Sequence, residues 1–398
     1  MTKFRLVPPA GAPLPARAVL SSLYPASNSQ SSLEKLLRQR LRAPHVFPIS
    51  SGRAALTIIL RVLQKLCSRR EVVIPAYTCF SVPSAVVRAG LSIRLCDVDP
   101  KALDLDYTVL TRLDLDKVLC IVPSSLYGMP SDLFGLEEIA RAAGVYLIDD
   151  AAQCLGATLA GKACGTFGDA GFYSLGRGKN ITTMGGGILI TQKDDLADLI
   201  QKELKKLPRP SSFSVLSATL NSVLYAGMLS PSRYWLLDPI PFLGLGVSVF
   251  DPNFRMTQLS PYQERLASRL WTLVHPYNRV RCENARLLCA GLDGVEGIEI
   301  PQLVEGATPV YLRFPILARD GMHRSRLLSR LKDAGIGAST SYPTAIGDIP
   351  GIEQYLGAAQ QDCPGARSIA ERIITLPTHP YVTASDVDRM IEIVRAES

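Results

Sequence analysis

The chain has 398 residues, enough for two or three units with large buried cores, and it is 47% hydrophobic and 20% charged. That balance excludes a disordered, collagenous or coiled-coil protein. The net charge of +7 is uneven: the first 70 residues hold twelve Lys and Arg against Glu34 alone, or +11, and the remainder carries −4. A basic front end on a faintly acidic body favours anionic partners such as a phosphorylated substrate, a nucleotide or an anionic lipid surface. Nucleic acid is not expected, because no aromatic residues interleave with that charge.

From about residue 45 to 192, short apolar runs alternate with helical stretches. The predicted strands are Val72–Pro75, Ile93–Val98, Val118–Val122, Val145–Ile148, Ala170–Ser174 and Gly187–Thr191. Helices are predicted at Ala54–Leu66 and Ser131–Ala143, the second with Ser131 as N-cap and Gly144 just past its end. Continuous apolar strands separated by helices imply an α/β fold with a mostly parallel sheet covered on both faces, and a ligand site at the carboxyl ends of the strands. Residues 207–250 are nearly charge-free and rich in Pro, Ser and Leu; they read as an insertion, too short and too polar to span a bilayer. An amphipathic helix follows at Thr257–Val274. Residues 293–396 read as a smaller α+β unit with a strand near Val310–Phe314 and helices at Met322–Ala334, Gly365–Arg372 and Ser385–Arg395. This divides the chain into a large unit, 1–265, carrying the insertion, and a small one, 266–398.

The nine cysteines are scattered, with no spacing that suits zinc, and no metal site is expected. Met1–Pro15 is short, basic and broken by proline, unlike a cleavable leader, so a cytoplasmic protein with reduced thiols is expected.

Four local features carry chemistry. At Ser50-Ser51-Gly52-Arg53-Ala54 a small-residue turn opens a helix, whose free N–H groups form a phosphate cradle that Gly52 lets a ligand approach. At Val145–Gln153 an apolar strand ends in Asp149 and Asp150, whose side chains alternation sends to opposite sides. A carboxylate fixed there can pair with a protonated ring nitrogen and hold a heteroaromatic electron sink; a helix cap or a metal-binding Asp is the alternative use. The run Gly168–Asn180 then presents Ser174, Arg177 and Lys179 from a glycine-loosened loop, and Met184-Gly185-Gly186-Gly187 forms a turn beside it. Phosphate cradle, strand-end Asp, then Ser and Lys about 30 residues on together point to pyridoxal phosphate. The histidines, His45, His275, His323 and His379, are isolated and read as packing or solvated side chains.

Pro75-Ala76-Tyr77-Thr78, Leu126-Tyr127-Gly128, Asp149–Gln153, Gly168–Ser174 with Lys179-Asn180, Asn253-Phe254-Arg255-Met256 and Leu376–Pro380 resemble the DegT/DnrJ/EryC1/StrS family, the fold-type-I pyridoxal-phosphate sugar aminotransferases. Residues 207–250 and the shortened front end lack a match. The resemblance implies that Lys179 bonds to the cofactor and later shuttles a proton, that Asp150 pairs with the pyridine nitrogen, that Gln153 lies beside the ring and its hydroxyl, and that Ser174 holds the phosphate. Gly52 and Arg53 occupy the phosphate cradle, with Arg53 where relatives usually have Thr. Asn253 matches an asparagine that reaches the phosphate from a partner subunit, implying a homodimer with shared active sites. Two departures stand out. Cys79 takes the place of a ring-stacking aromatic, with Phe80 one residue on, and Ser125 replaces a common His.

The implied reaction moves an amino group, from glutamate by resemblance, to a keto sugar, expected on a nucleotide carrier. Two further readings remain open. One is a sugar dehydratase of the same fold, disfavoured because those enzymes, by resemblance, have His where this chain has Lys179. The other is a membrane-associated scaffold without catalysis, motivated by the basic front end and the apolar insertion but less favoured than an insertion that packs on a dimer partner or covers the substrate mouth.

Overall fold

The computed structural model describes residues 5–24, 33–236, 249–357 and 361–398. Seven strands form its main sheet: β1 (His45–Ile49), β2 (Glu71–Pro75), β3 (Ser92–Cys96), β4 (Val118–Ile121), β5 (Tyr146–Asp150), β6 (Ala170–Ser174) and β7 (Gly187–Thr191). Their order is β1-β7-β6-β5-β4-β2-β3. The pairs from β6 through β3 are parallel, and β7 runs antiparallel to both β6 and β1. Nearly every residue of these strands is buried, as expected where helices cover both faces.

Helix α1 (Gly52–Leu66) packs in the largest core cluster. Ser51 caps it, its Oγ accepting the Ala54 N–H at 3.1 Å, which replaces one bond the first turn lacks. Helix α2 (Leu133–Ala143) ends at the left-handed Gly144, as predicted, but its N-cap is Asp132 rather than Ser131. The Asp132 carboxylate takes the Gly135 N–H, while the Ser131 N–H is spent on Ser125.

Three other predictions need correction. The strand expected at Ile93–Val98 breaks after Cys96, because the buried Asp97 carboxylate accepts the N–H groups of Val98, Gly365 and Ala366. The helix expected at Thr257–Val274 starts at Pro261, behind a capping box formed by Ser260 and Gln263, and gives way at Trp271–Leu273 to a 3-10 turn. The strand expected near Val310–Phe314 begins only at Phe314. Val310 donates instead to the Gly128 carbonyl and Tyr311 takes a positive φ of 40°.

The insertion forms α3 (Ser212–Met228) and the short α4 (Pro231–Tyr234); its residues 237–248 lie outside the described residues. One stripe of α3, made of Phe213, Leu216, Leu220 and Leu224, faces outward. No helix among the described residues is long and apolar enough to cross a membrane.

A second antiparallel sheet joins β8 (Ile298–Glu299), β9 (Phe314–Ala318) and β10 (Ile373–Leu376). Helices Val274–Leu292, Gly321–Asp333 and Ala384–Glu397 share its core. Val7 packs into the same core and bridges Ile336, and Arg5 grips Asp386 through two bonds of 2.6 Å. All nine cysteines are free thiols.

Candidate active site

The carboxyl ends of the strands and the start of α1 open on a cavity of about 660 Å³, a size that suits a small-molecule site. A Cβ built on Gly52 would stand 3.1 Å from the Ser174 Cβ and 3.5 Å from its Oγ. The end of β6 thus meets the N-terminus of α1, and the missing side chain leaves a small anion cradle between them. Arg53 reaches the same cavity, its guanidinium 4.7 Å from the centre of the Phe254 ring and 4.0 Å from the Asp251 carboxylate.

At the end of β5 the two carboxylates separate as alternation requires. Asp149 is fully buried and accepts the N–H groups of Gly165 and Phe167, pinning the turn before β6. Burial pushes it up to about 7. Asp150 accepts the Ala152 N–H at 3.0 Å and the Ser124 hydroxyl at 3.3 Å. Burial raises it to about 6, against the pull of those two donors and of Lys179. Lys179 lines the cavity. Burial holds its amine below the usual lysine range; Cys79 and Asp150 oppose that effect, whereas the Arg313 cation adds to it.

Gln153 is clamped at both ends: its Oε1 accepts the Tyr127 N–H and its Nε2 donates to the Tyr342 hydroxyl, each at 3.1 Å. Tyr77 meets Tyr342 edge to face, 5.7 Å between ring centres, and pairs with the Tyr127 hydroxyl at 3.2 Å. At the neighbouring turn Cys79 faces the cavity, while Phe80 packs in the core against Tyr342. The side chain presented there is therefore the sulfur and not the ring.

Of the predicted residues, Arg53, Cys79, Gln153 and Lys179 line one cavity; Gly52, next to Arg53, meets Ser174, and Asp150 lies within electrostatic reach of Lys179. Asn253 does not join them; it is exposed, its N–H bonded to Asp251. Ser125 is buried and accepts the Ser131 N–H. His379 contacts the Pro8 carbonyl at 2.8 Å, and burial pushes it down to about 3; His45 sits beside Asp194. Neither histidine lines the cavity, and among the described residues no cluster suits a metal ion. Sequence reasoning missed Arg313, Ser341 and Tyr342, and also Tyr225, Leu229 and Tyr234, by which the insertion walls the cavity. Arg313 had a signal, as the one cation in the apolar run Val310–Phe314; Tyr342 had none.

A model of the DegT/DnrJ/EryC1/StrS aminotransferase family matches residues 16–395. The chain belongs to that family. This aminotransferase is 26% identical over 356 residues to the UDP-N-acetyl-3-dehydro-alpha-D-glucosamine 3-aminotransferase of Acidithiobacillus ferrooxidans, covering 88% of this chain and 84% of the relative. It is 27% identical over 361 residues to the GDP-perosamine synthase of Caulobacter vibrioides, covering 90% and 87%. The sugar aminotransferase CalS13 of Micromonospora echinospora shares its fold, with a TM-score of 0.76 over 99% of each chain at 22% identity. Aminotransferases of this family depend on pyridoxal phosphate. The residues in this cavity fit that cofactor: a cradle that a Cβ would fill, a buried carboxylate at a strand end, and a lysine within its electrostatic reach.

Proposed function

We propose that this aminotransferase moves the amino group of an amino acid, glutamate by family resemblance, onto a keto sugar carried on a nucleotide. The observation that carries the reading is that Lys179, Arg53 and Gln153 line one cavity, with the buried Asp150 within electrostatic reach of Lys179 and the close approach of Gly52 to Ser174 next to Arg53. When bound, pyridoxal phosphate supplies the aldehyde that captures the amino group and the ring that stores the electron pair released at Cα.

The chain's own residues hold and time that chemistry. The Gly52 and Arg53 end of α1 and the Ser174 hydroxyl would bind the phosphate, with the helix N-terminus adding positive potential. Asp150 would hold a ring N–H by its carboxylate, whose affinity for a proton burial has already raised. Gln153, fixed by Tyr127 and Tyr342, would offer the cofactor's ring hydroxyl an amide held at both ends, and the Cys79 sulfur, which lines the cavity, would pack on the ring. Lys179 would hold the cofactor's aldehyde carbon, and its amine, when free, would take the proton from Cα. Its depressed pKa keeps the amine neutral closer to working pH, as a base requires.

In this reading residues 1–265 carry the cofactor machinery, and residues 266–398 add Arg313, Ser341 and Tyr342 to the same cavity. The protein acts as a homodimer, with the exposed Asn253 reaching the partner's phosphate and the outward stripe of α3 offering apolar surface for the contact. The test is direct. Protein loaded with pyridoxal phosphate is yellow, glutamate discharges the colour, and a nucleotide keto sugar restores it while gaining an amine by mass. Loaded protein that stays indifferent to every amino acid overturns the reading, and a deoxygenated product would make it a dehydratase.

A further inference from the structure

Two loops carry the cofactor machinery of the reading above: one follows β5 and includes Gln153, the other follows β6 and includes Lys179. Residues 151–157 and 175–185 belong to no helix or strand, and among the described residues no backbone hydrogen bond runs between them. A side chain from elsewhere joins them. Asn278, on the helix Val274–Leu292, accepts on its Oδ1 a hydrogen from the Nδ2 of Asn180, the residue after Lys179, at 2.9 Å. Its own Nδ2 donates at 2.8 Å to the carbonyl of Leu155, just past Gln153.

This bridge is set in apolar surroundings. Asn278 and Asn180 are 6% and 1% exposed, and their neighbours Leu155, Ile181 and Val274 belong to one hydrophobic cluster. An amide buried there costs free energy unless it is hydrogen-bonded, a cost that a leucine in its place does not carry. Among the described residues the Asn180 side chain has no other bond, its Oδ1 being buried without a partner, so the Asn278 amide is what orients it. The fold also makes room for the bridge. Gly156 has a φ of +93°, and a Cβ built on it would stand 2.6 Å from the Asn278 Nδ2, which would push the amide off the Leu155 carbonyl. Asn278 itself does not line the cavity.

The following turns of the same helix hold the opposite wall. Arg281, fully buried, donates to the Leu312 carbonyl at 3.2 Å and to the Gly11 carbonyl at 2.6 Å, and Asn284 donates to the Thr378 carbonyl at 2.9 Å. One helix is therefore a common reference for both sides of the cavity, with Asn278 as its grip on the cofactor side. A lysine that must meet an aldehyde carbon and then a proton on Cα works within about 0.5 Å of its productive place. We propose that Asn278 is a positioning residue: by holding Leu155 and Asn180 at a fixed separation, it sets where the Lys179 amine stands relative to Asp150 and Gln153. The proposal rests on the functional reading above and adds to it a residue from outside the cavity wall.

Single-turnover kinetics on the full chain loaded with pyridoxal phosphate test it. The probe is the amino acid that discharges the unsubstituted protein, glutamate by resemblance, and the signal is the yellow absorbance. Asn278→Leu keeps the side-chain size and removes both bonds. It is expected to slow discharge at saturating amino acid by about tenfold or more, and to leave the concentration for half-maximal rate within about twofold of the parent. Asn180→Ala breaks the same bond from the loop side with the helix untouched, and carries the test if Asn278→Leu does not fold. It is expected to slow the step by a similar factor, and the double variant to be no slower than Asn278→Leu, because the two substitutions share one bond. A merely structural role gives a different result: a lower melting temperature and weaker cofactor binding, with the loaded protein reacting at the parental rate. That result, or losses that multiply in the double variant, overturns the assignment. If the functional reading itself fails, the unsubstituted protein keeps its absorbance whatever amino acid is added, a result distinct from either.

Discussion

The Ser124 hydroxyl donates to Oδ2 of Asp150 across 3.3 Å, and Thr78 in turn donates to Ser124 at 2.8 Å. Two neutral hydroxyls thus serve a buried carboxylate that also feels the Lys179 cation, and burial still leaves Asp150 with a pKa of about 6 in place of 3.8.

A folded-state pKa raised above its unfolded value means that the ionised carboxylate opposes folding. That cost is absent below the unfolded value, grows between about pH 4 and pH 6, and is complete above. Asp150→Asn keeps an acceptor for Ala152 and removes the charge. Without cofactor it should therefore be more stable than the parent at pH 8 by roughly 1–3 kcal/mol, and equal to it near pH 3.5. Denaturant melts at the two pH values check this; a variant less stable at pH 8 would refute it. The same variant should lose cofactor on dialysis.

Lys179→Ala should bind pyridoxal phosphate without a covalent bond that borohydride can trap and lose roughly 10²–10⁴-fold in amino transfer. Borohydride reduction followed by mass measurement and product assay decide the point, and cofactor still trapped covalently on the variant would remove Lys179 from its role.

Gly52→Val places a branched side chain where a single Cβ would already stand 3.1 Å from Ser174. The cradle shrinks, so the cofactor should bind about tenfold or more weakly, which is a loss of about 1.4 kcal/mol. Free inorganic phosphate should compete less well too. Fluorescence titration with cofactor reads the change, and tight binding by the variant would place the phosphate elsewhere.

Mixing two inactive proteins tests the shared site. Lys179→Ala and Asn253→Ala chains that exchange as dimers generate one intact site in each mixed pair, so about a quarter of full activity should return. No recovery from subunits shown to exchange would mean that Asn253 serves its own chain or none.

Much of the cofactor end was legible because local sequence sets it: β6 and β7 lie at the predicted residues, and Asp150, Gly52, Ser174 and Lys179 sit on or beside the ends of buried strands whose apolar runs are plain to read. What escaped was set by contacts between distant segments. The expected strand at Val310 starts later because Val310 bonds to Gly128, a partner nearly two hundred residues away, and that same displacement frees Arg313 for the cavity. Strand β1 was missed because it lies just before the recognised turn and contains Pro48. Nor did sequence decide between Cys79 and Phe80; the packing of Phe80 on Tyr342 did.

The segment from Arg5 to Ala10 behaves as a clasp. It is buckled to Asp386 and Ile336 at one end, and at the other Ala10 touches the loop that carries Lys179, its Cβ 3.4 Å from where one would stand on Gly178. Any swing of the β9–β10 sheet away from the cofactor loop must therefore tug on this strip of backbone before it opens the cavity. The same strip also ties down the insertion side of the wall, because Leu6 donates to the Pro231 carbonyl at 2.9 Å and packs with Leu229 and Tyr234, so one short length of backbone joins the small unit, the cofactor loop and the insertion around a single cavity.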